Sequence, residues 1–251
     1  SLALALAQTE PDAVRLRAAG VRRVEVCGNL KFDMTPAPAL LAQGRRWRDA
    51  IGRRVVLATS TREGEETALL EVWRAQRGER PLLLIVPRHP QRFEAVAALV
   101  RDAGFTLARR SAWAEMPPPE ALAADVWLGD SMGELPLYYA CSQVALLGGS
   151  FAPLGGQNLI EAAACGCPVL MGAHTFNFAQ AADMAEQAGA ARRVGSLGEA
   201  VAIACESLPP AEQRKAVQRC LDFAAGHRGA ARQMAARIAA LLDPASPPRP
   251  S

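Results

Sequence analysis

The feature that most constrains this chain is a succession of short apolar runs, each followed by a stretch of helical composition. Val55–Thr59, Leu82–Val86, Asp125–Leu128, Val144–Leu147 and Val169–Met171 are too short for helices. They also lack the polar alternation of a half-exposed strand, so they read as strands buried on both faces. Phe105–Ala108 reads as a further strand, and helices are expected over Glu63–Gln76, Gln91–Ala103, Glu134–Cys141, Asn158–Cys165 and Asn177–Ala188. This alternation predicts an α/β fold, a Rossmann-like parallel sheet flanked by helices. Helical segments Leu197–Ser207, Ala211–Ala224 and Ala230–Leu242 are expected to follow.

Ahead of these runs, strand Leu2–Ala7, helix Pro11–Ala19 and strand Arg23–Cys27 make one β-α-β unit. Gly28 to Pro38 then breaks the pattern with a glycine and two prolines, as a linker does. The expected organisation is residues 1–35 as the end of another domain with its linker, 36–243 as the Rossmann-like domain, and 244–251, rich in Pro and Ser, as a flexible tail. Because the chain opens inside a strand, it is expected to be a fragment.

Charge narrows the partners. With 28 basic and 25 acidic residues the net charge is +3, too small an excess to argue for nucleic acid. Six cysteines lack the spacing of a disulfide framework, and His89, His174 and His227 are scattered, so neither a disulfide scaffold nor a metal site is expected. No run approaches the roughly 18 apolar residues needed to span a bilayer.

In open parallel sheets ligands bind beyond the carboxyl ends of the strands. Gly148-Gly149-Ser150 and Gly155-Gly156-Gln157-Asn158-Leu159-Ile160-Glu161 follow one strand and open a helix. Glycines let backbone N–H groups approach a phosphate closely, and a helix start favours its charge. Glu161 has the chemistry to accept hydrogen bonds from both ribose hydroxyls, so the stretch reads as a nucleotide-sugar site. Three other strand ends carry polar residues. Ser60 and Glu63 have capping-box spacing, with Thr61 and Arg62 expected to project toward a ligand. Pro87-Arg88-His89-Pro90 holds a phosphate-pairing arginine between two prolines. Backbone N–H groups at Met132, Gly133 and Glu134 have the placement to grip a base edge or phosphate, the alternative being that Asp130 or Ser131 serves only as an N-cap. A complete phosphate-binding P-loop, a dinucleotide fingerprint and a Gly-x-Ser-x-Gly elbow are all lacking, which argues against NTPase, dehydrogenase and esterase chemistry.

Taken in order, several motifs resemble the 3-deoxy-D-manno-octulosonic acid (Kdo) transferases of lipopolysaccharide synthesis. They are Gly28-Asn29-Leu30-Lys31-Phe32-Asp33, Ser60-Thr61-Arg62-Glu63-Gly64-Glu65-Glu66, Val86-Pro87-Arg88-His89-Pro90, Met132-Gly133-Glu134-Leu135, Gly148-Gly149-Ser150, Asn158-Leu159-Ile160-Glu161 and Thr175-Phe176-Asn177-Phe178. The resemblance implies one half of a B-type (two-Rossmann) glycosyltransferase, the carboxyl-terminal, donor-binding half. It implies CMP-Kdo as donor, a lipid A precursor as acceptor, no metal or other cofactor, and inversion at the transferred sugar. Carried over onto this sequence, the CMP contacts fall on Pro87, Arg88, Met132, Gly133, Glu134, Asn158, Leu159, Ile160 and Glu161, with Ser60, Thr61, Arg62, His89, Gly148, Gly149 and Ser150 in support. The family's proposed general base, a glutamate, and its membrane anchor lie in the amino-terminal half. No catalytic base is therefore assigned here, and the chain is expected to bind donor without turnover. The intact enzyme is expected at the cytoplasmic face of the bacterial inner membrane. One departure is Gln157, where the family usually has histidine. Two rival readings are a UDP-sugar-using B-type transferase or epimerase, and a nucleotide-binding module without catalysis.

Overall fold

The computed structural model describes residues 2–76 and 80–242, and the expected tail at 244–251 lies outside the described residues. The chain forms two compact units, Ser1–Thr35 with Ala224–Ser251, and Pro36–Phe223.

In the first unit β1 (Ala5–Ala7) and β2 (Val24–Val26) pair in parallel, joined through α1 (Glu10–Ala18). Thr9 caps α1, its hydroxyl accepting the Asp12 N–H. A single 3₁₀ turn, Leu30–Asp33, follows. The Asp33 carboxylate accepts the N–H groups of Gly229 and Ala231, at the start of the last helix, and these bonds hold its pKa below the usual value. Arg237 of that helix pairs with Glu25 at 2.7 Å. The described residues 224–242 thus group with residues 2–35, whereas composition reads everything up to 243 as part of the larger domain. Helical periodicity reports an apolar face and not the body that covers it.

The larger unit comprises α2 (Pro38–Ile51), β3 (Val55–Thr61), α3 (Glu65–Ala75), β4 (Leu82–Pro87), α4 (Phe93–Asp102), β5 (Leu107–Arg109), α5 (Pro119–Ala123), β6 (Val126–Leu128), α6 (Leu135–Cys141), β7 (Val144–Leu147), α7 (Ile160–Ala164), β8 (Val169–Met171), α8 (Ala179–Gln187), β9 (Ala191–Arg193), α9 (Leu197–Cys205) and most of α10 (Pro210–Gly226). The last helix among the described residues is α11 (Ala230–Leu242), in the first unit. Seven strands, all parallel, run in the order β5-β6-β4-β3-β7-β8-β9. Every residue of the central strands β3 and β4 is buried, as two-faced coverage requires. Leu69, Leu70 and Trp73 of α3, Val96 and Val100 of α4, and Val201 of α9 join the strand side chains in one core. Each such side chain taken from water contributes roughly 1.5–3 kcal/mol.

Three elements, α2, the short α5 and β9, have no counterpart in the sequence reading. The linker reading of Gly28 to Pro38 stops where α2 begins: Pro38 occupies the helix start, where no N–H is needed, and Gly52 closes the helix at φ 64°. β9 is an edge strand with two arginines in three residues, paired to β8 alone, and so lacks an apolar signature. At Gly44 of α2 an added Cβ would lie 2.3 Å from the Leu137 carbonyl oxygen, so α2 meets α6 backbone to backbone.

Candidate functional site

Strand order sets where a ligand fits. β4 flanks β3 on one side and β7 on the other, so the connections leave in opposite directions and open a crevice beyond the ends of β3 and β7. β3 ends in Thr59-Ser60-Thr61, where the register slips and Ser60 adopts φ 52°. A left-handed serine costs about 1–2 kcal/mol, strain of the kind that gathers at sites. Gly148 lies against this bend: a Cβ there would sit 2.4 Å from the Ser60 carbonyl oxygen.

Ser60 and Glu63 do not form the expected capping box. α3 begins one turn later, behind Gly64 at φ 88°, because the slip in β3 carries the chain past the position where Ser60 would cap. Glu65 takes over the reciprocal bond, accepting the Arg62 N–H at 2.9 Å, and both its oxygens accept the Gly149 N–H at 2.8 Å. Burial pushes the Glu65 pKa up, against the pull of those two N–H groups. Thr61, expected to face a ligand, is buried and donates to Glu66 at 2.8 Å. The fully buried Glu66 also receives Arg92 at 2.9 Å. Of the expected pair only Arg62 keeps its side chain free of hydrogen bonds among the described residues.

The β4 end supplies Arg88, whose N–H donates to the Thr61 carbonyl at 2.9 Å. Pro87 is buried, while Arg88 and His89 are exposed. The guanidinium of Arg88 makes no hydrogen bond among the described residues, and its charge acts on Glu161. Burial raises the Glu161 pKa, and Arg88 opposes that rise. No side-chain hydrogen bond holds Glu161 among the described residues, so a half-buried acid and an exposed cation that interact through their charges are both left open to a ligand.

Two glycines, Gly155 and Gly156, lead to α7 at φ 88° and 73°. A Cβ on Gly155 would fall 2.2 Å from the Asn177 side-chain nitrogen, and Asn177 donates to the Leu154 carbonyl at 3.1 Å. Asn158 accepts the Ile160 N–H at 3.1 Å, setting the entry to the helix. Leu159 and Ile160 are wholly buried and anchor that entry in the core. Ser150, also fully buried, donates to the Leu147 carbonyl at 2.6 Å and accepts the Gly172 N–H at 2.9 Å. It ties β7 to β8.

At the end of β6, Asp130 is no helix cap. It accepts Arg109 at 2.7 Å and both the N–H and hydroxyl of Ser111, at 2.8 and 2.7 Å. Ser131 does not cap either, donating instead to Glu134 at 2.5 Å. The Glu134 carboxylate is gripped by Arg110 through two bonds of 2.9 and 2.8 Å. Arg110 in turn lies over the rings of Trp47 and Trp113, 5.0 and 5.9 Å from their centroids. The network braces a turn whose Met132 and Gly133 are exposed. Glu65, Arg110 and Asn177 went unassigned as site residues. Each acts through a partner far away in sequence, for which no local pattern exists.

No protein-family model matches the chain. It is 46% identical over 234 residues to the 3-deoxy-D-manno-octulosonic acid transferase of Bordetella pertussis, a match covering 91% of this chain and 54% of that protein. With the enzyme of the same name from Haemophilus influenzae it shares 35% identity over 223 residues, 80% of this chain and 51% of the relative. The chain thus spans about half the length of the curated relatives it matches. Among solved structures it is similar to the C-terminal CMP-Kdo binding domain of WaaA from Acinetobacter baumannii, with a TM-score of 0.64 and 29% identity over 74% of this chain and 98% of that one. Anabaena HepE, solved with UDP and glucose, has a TM-score of 0.55 at 16% identity over 94% of this chain and 63% of that one, a likeness of fold alone. Collinear motifs, a parallel sheet with its crevice at the switch point, and identity of this extent place the chain in the 3-deoxy-D-manno-octulosonic acid transferase family.

Proposed function

We propose that this chain is the donor-binding half of a glycosyltransferase that moves Kdo from CMP-Kdo to a lipid A precursor in lipopolysaccharide synthesis. The observation that carries this reading is the pair Arg88 and Glu161, unengaged by other side chains and set on either side of the switch point. In the reading, Arg88 pairs with the phosphate of CMP and Glu161 accepts the ribose hydroxyls, with Asn158 shaping the helix entry beneath them. Met132 and Gly133 offer exposed backbone to the base. Glu134 contributes by holding the turn, since its carboxylate is already occupied by Arg110.

The acceptor hydroxyl oxygen attacks the anomeric carbon of Kdo as the bond from that carbon to the phosphate oxygen breaks. The electron pair leaves with CMP, and the hydroxyl proton passes to a base in the remainder of the enzyme. Charge growing on the departing phosphate is stabilised from this half by Arg88 and the amides at the carboxyl edge. The larger unit serves as the donor domain. The intact enzyme works at the cytoplasmic face of the inner membrane, reached through the other half. Among the described residues no helix is long and apolar enough to cross a membrane.

The test is a thermal-shift comparison of CMP, UMP, UDP and GDP on this chain and on Glu161→Ala. Ligand at about 100 times its Kd stabilises by roughly 2.7 kcal/mol. Selective stabilisation by CMP, lost in the variant, is expected. Preference for UDP would move the reading to another sugar nucleotide, and no response to any of the four would overturn it.

A further inference from the structure

The larger unit has a second concave site, at the other edge of the sheet. α6 ends just before β7 begins and α7 ends just before β8 begins, so both helix ends lie at the amino edge, away from the crevice. Between these ends, α2 and α10 is a cavity of about 550 Å³. Its lining combines apolar Leu41, Val217 and Leu221 with Arg45, Arg48 and Arg214, and includes no aspartate or glutamate.

Pairing sets these arginines apart. In the same unit Arg92, Arg109, Arg110, Arg192 and Arg193 reach carboxylates. Arg53, Arg54, Arg74, Arg80 and Arg219 reach backbone carbonyls. Among the described residues of the unit, the arginines with neither are Arg45, Arg46, Arg48, Arg62, Arg88, Arg101 and Arg214. Arg62 and Arg88 belong to the crevice, and three of the others meet at this cavity. Arg45 and Arg48, three apart, share a face of α2. The acids nearest along α10 are already engaged: Glu212 holds Lys215 at 2.9 Å, and Asp222 accepts Gln218 at 2.8 Å. Guanidinium groups that converge with no carboxylate paired to them among the described residues repel one another, and their planar forks match phosphate oxygens.

We propose that this cavity binds a phosphate-bearing ligand, its phosphate group taken by Arg45, Arg48 and Arg214 and its apolar body by the leucine and valine side chains. The phosphate belongs either to a small soluble molecule or to a phospholipid headgroup. The site is independent of the donor reading.

The experiment is calorimetric titration of the full chain with inorganic pyrophosphate in an Arg62→Ala, Arg88→Ala background, which removes both crevice arginines. Saturable binding is expected, weakened at least tenfold by Arg48→Gln with Arg214→Gln, while Arg48→Lys with Arg214→Lys retains part of it. A parallel sedimentation arm uses vesicles of phosphatidylglycerol and phosphatidylcholine against phosphatidylcholine alone. Pyrophosphate binding that depends on the arginines assigns a soluble ligand. Vesicle binding that depends on them, without pyrophosphate binding, assigns the headgroup. Should neither arm respond to the substitutions in protein that melts cooperatively, the proposal is overturned. Arg45→Gln with Arg214→Gln repeats the test if the first pair fails to fold.

Discussion

Both oxygens of the Glu65 carboxylate accept the Gly149 N–H at 2.8 Å, tying the first turn of α3 to the glycine turn after β7. The two residues follow β3 and β7, the adjacent strands at the switch point, so this contact ties together the two loops beyond their ends. Removing the acid leaves the N–H groups of buried Gly149 and half-buried Arg62 without their acceptor. Glu65→Ala is expected to cost about 2 kcal/mol and Glu65→Gln, which keeps one acceptor oxygen, about 1 kcal/mol. Urea unfolding reads the difference, and both variants should bind CMP more weakly than the parent. Equal stability of all three proteins would mean the carboxylate plays no part in closing the loop.

Glu161 makes a pH prediction of definite sign. Burial lifts its pKa above the ordinary value of 4.5, with Arg88 only partly offsetting it. A raised carboxyl pKa means the folded chain holds the proton to higher pH than the unfolded chain does. Stability from this group is therefore present below about pH 4.5 and declines as pH rises through the folded pKa. Glu161→Gln should match the parent in Tm at pH 4 and exceed it at pH 7, while losing CMP affinity. A variant that melts lower than the parent at pH 7 would contradict both the shift and its cause.

The guanidinium of Arg88 carries the opposite expectation. Arg88→Ala removes the charge that restrains Glu161, so the Glu161 carboxyl should titrate at still higher pH, readable by carbon-13 NMR of labelled glutamate. Nucleotide binding should fall at least tenfold, and fall more for CMP than for cytidine, because only CMP carries the phosphate. Identical losses for both ligands would remove Arg88 from the phosphate.

Arg110 supports the turn at Met132 from behind. Its side chain and that of Glu134 are 11% and 20% exposed, so breaking the pair strands a largely buried acid. Arg110→Ala is expected to cost about 2–3 kcal/mol. Arg110→Lys keeps the charge but not the two-pronged grip or the stacking on Trp47 and Trp113, and should recover less than half. Hydrogen exchange at Met132 and Gly133 should speed up in both variants, with exchange in β3 unchanged in the lysine variant.

Close approach at two glycines gives a packing test. At Gly148 the atoms in the way are the backbone of Thr59 and Ser60, which cannot move without breaking the end of β3. At Gly44 the obstacle is the Leu137 carbonyl of a neighbouring helix, which can shift as a body. Gly148→Ala should therefore cost more than Gly44→Ala, the latter falling in the range of about 1–3 kcal/mol typical of overpacking.

Much of this was legible in the residues. β7 and β8 fall where the apolar runs put them, because a strand buried on both faces must be apolar throughout. α2 was hidden by prolines that mark a helix start as readily as a linker, and β9 by the polarity an edge strand tolerates. Arg88 and Glu161 could be nominated from the sequence because strand-end position and side-chain chemistry are both local properties. Thr61 and Glu134 were read as ligand-facing because nothing local reveals Glu66 or Arg110 as their partners.

The amino-acid sequence by itself determined the parallel α/β class, the glycines at the bend after β7 and the chemical types at each strand end, since periodicity, φ preference and charge are properties of neighbouring residues. The tertiary structure alone decided that β3 lies between β4 and β7, that Glu65 reaches Gly149, and that the last helix packs with the first 35 residues. Those pairings join positions tens to hundreds of residues apart. They are chosen by which arrangement buries the most apolar surface while leaving each buried polar group a partner.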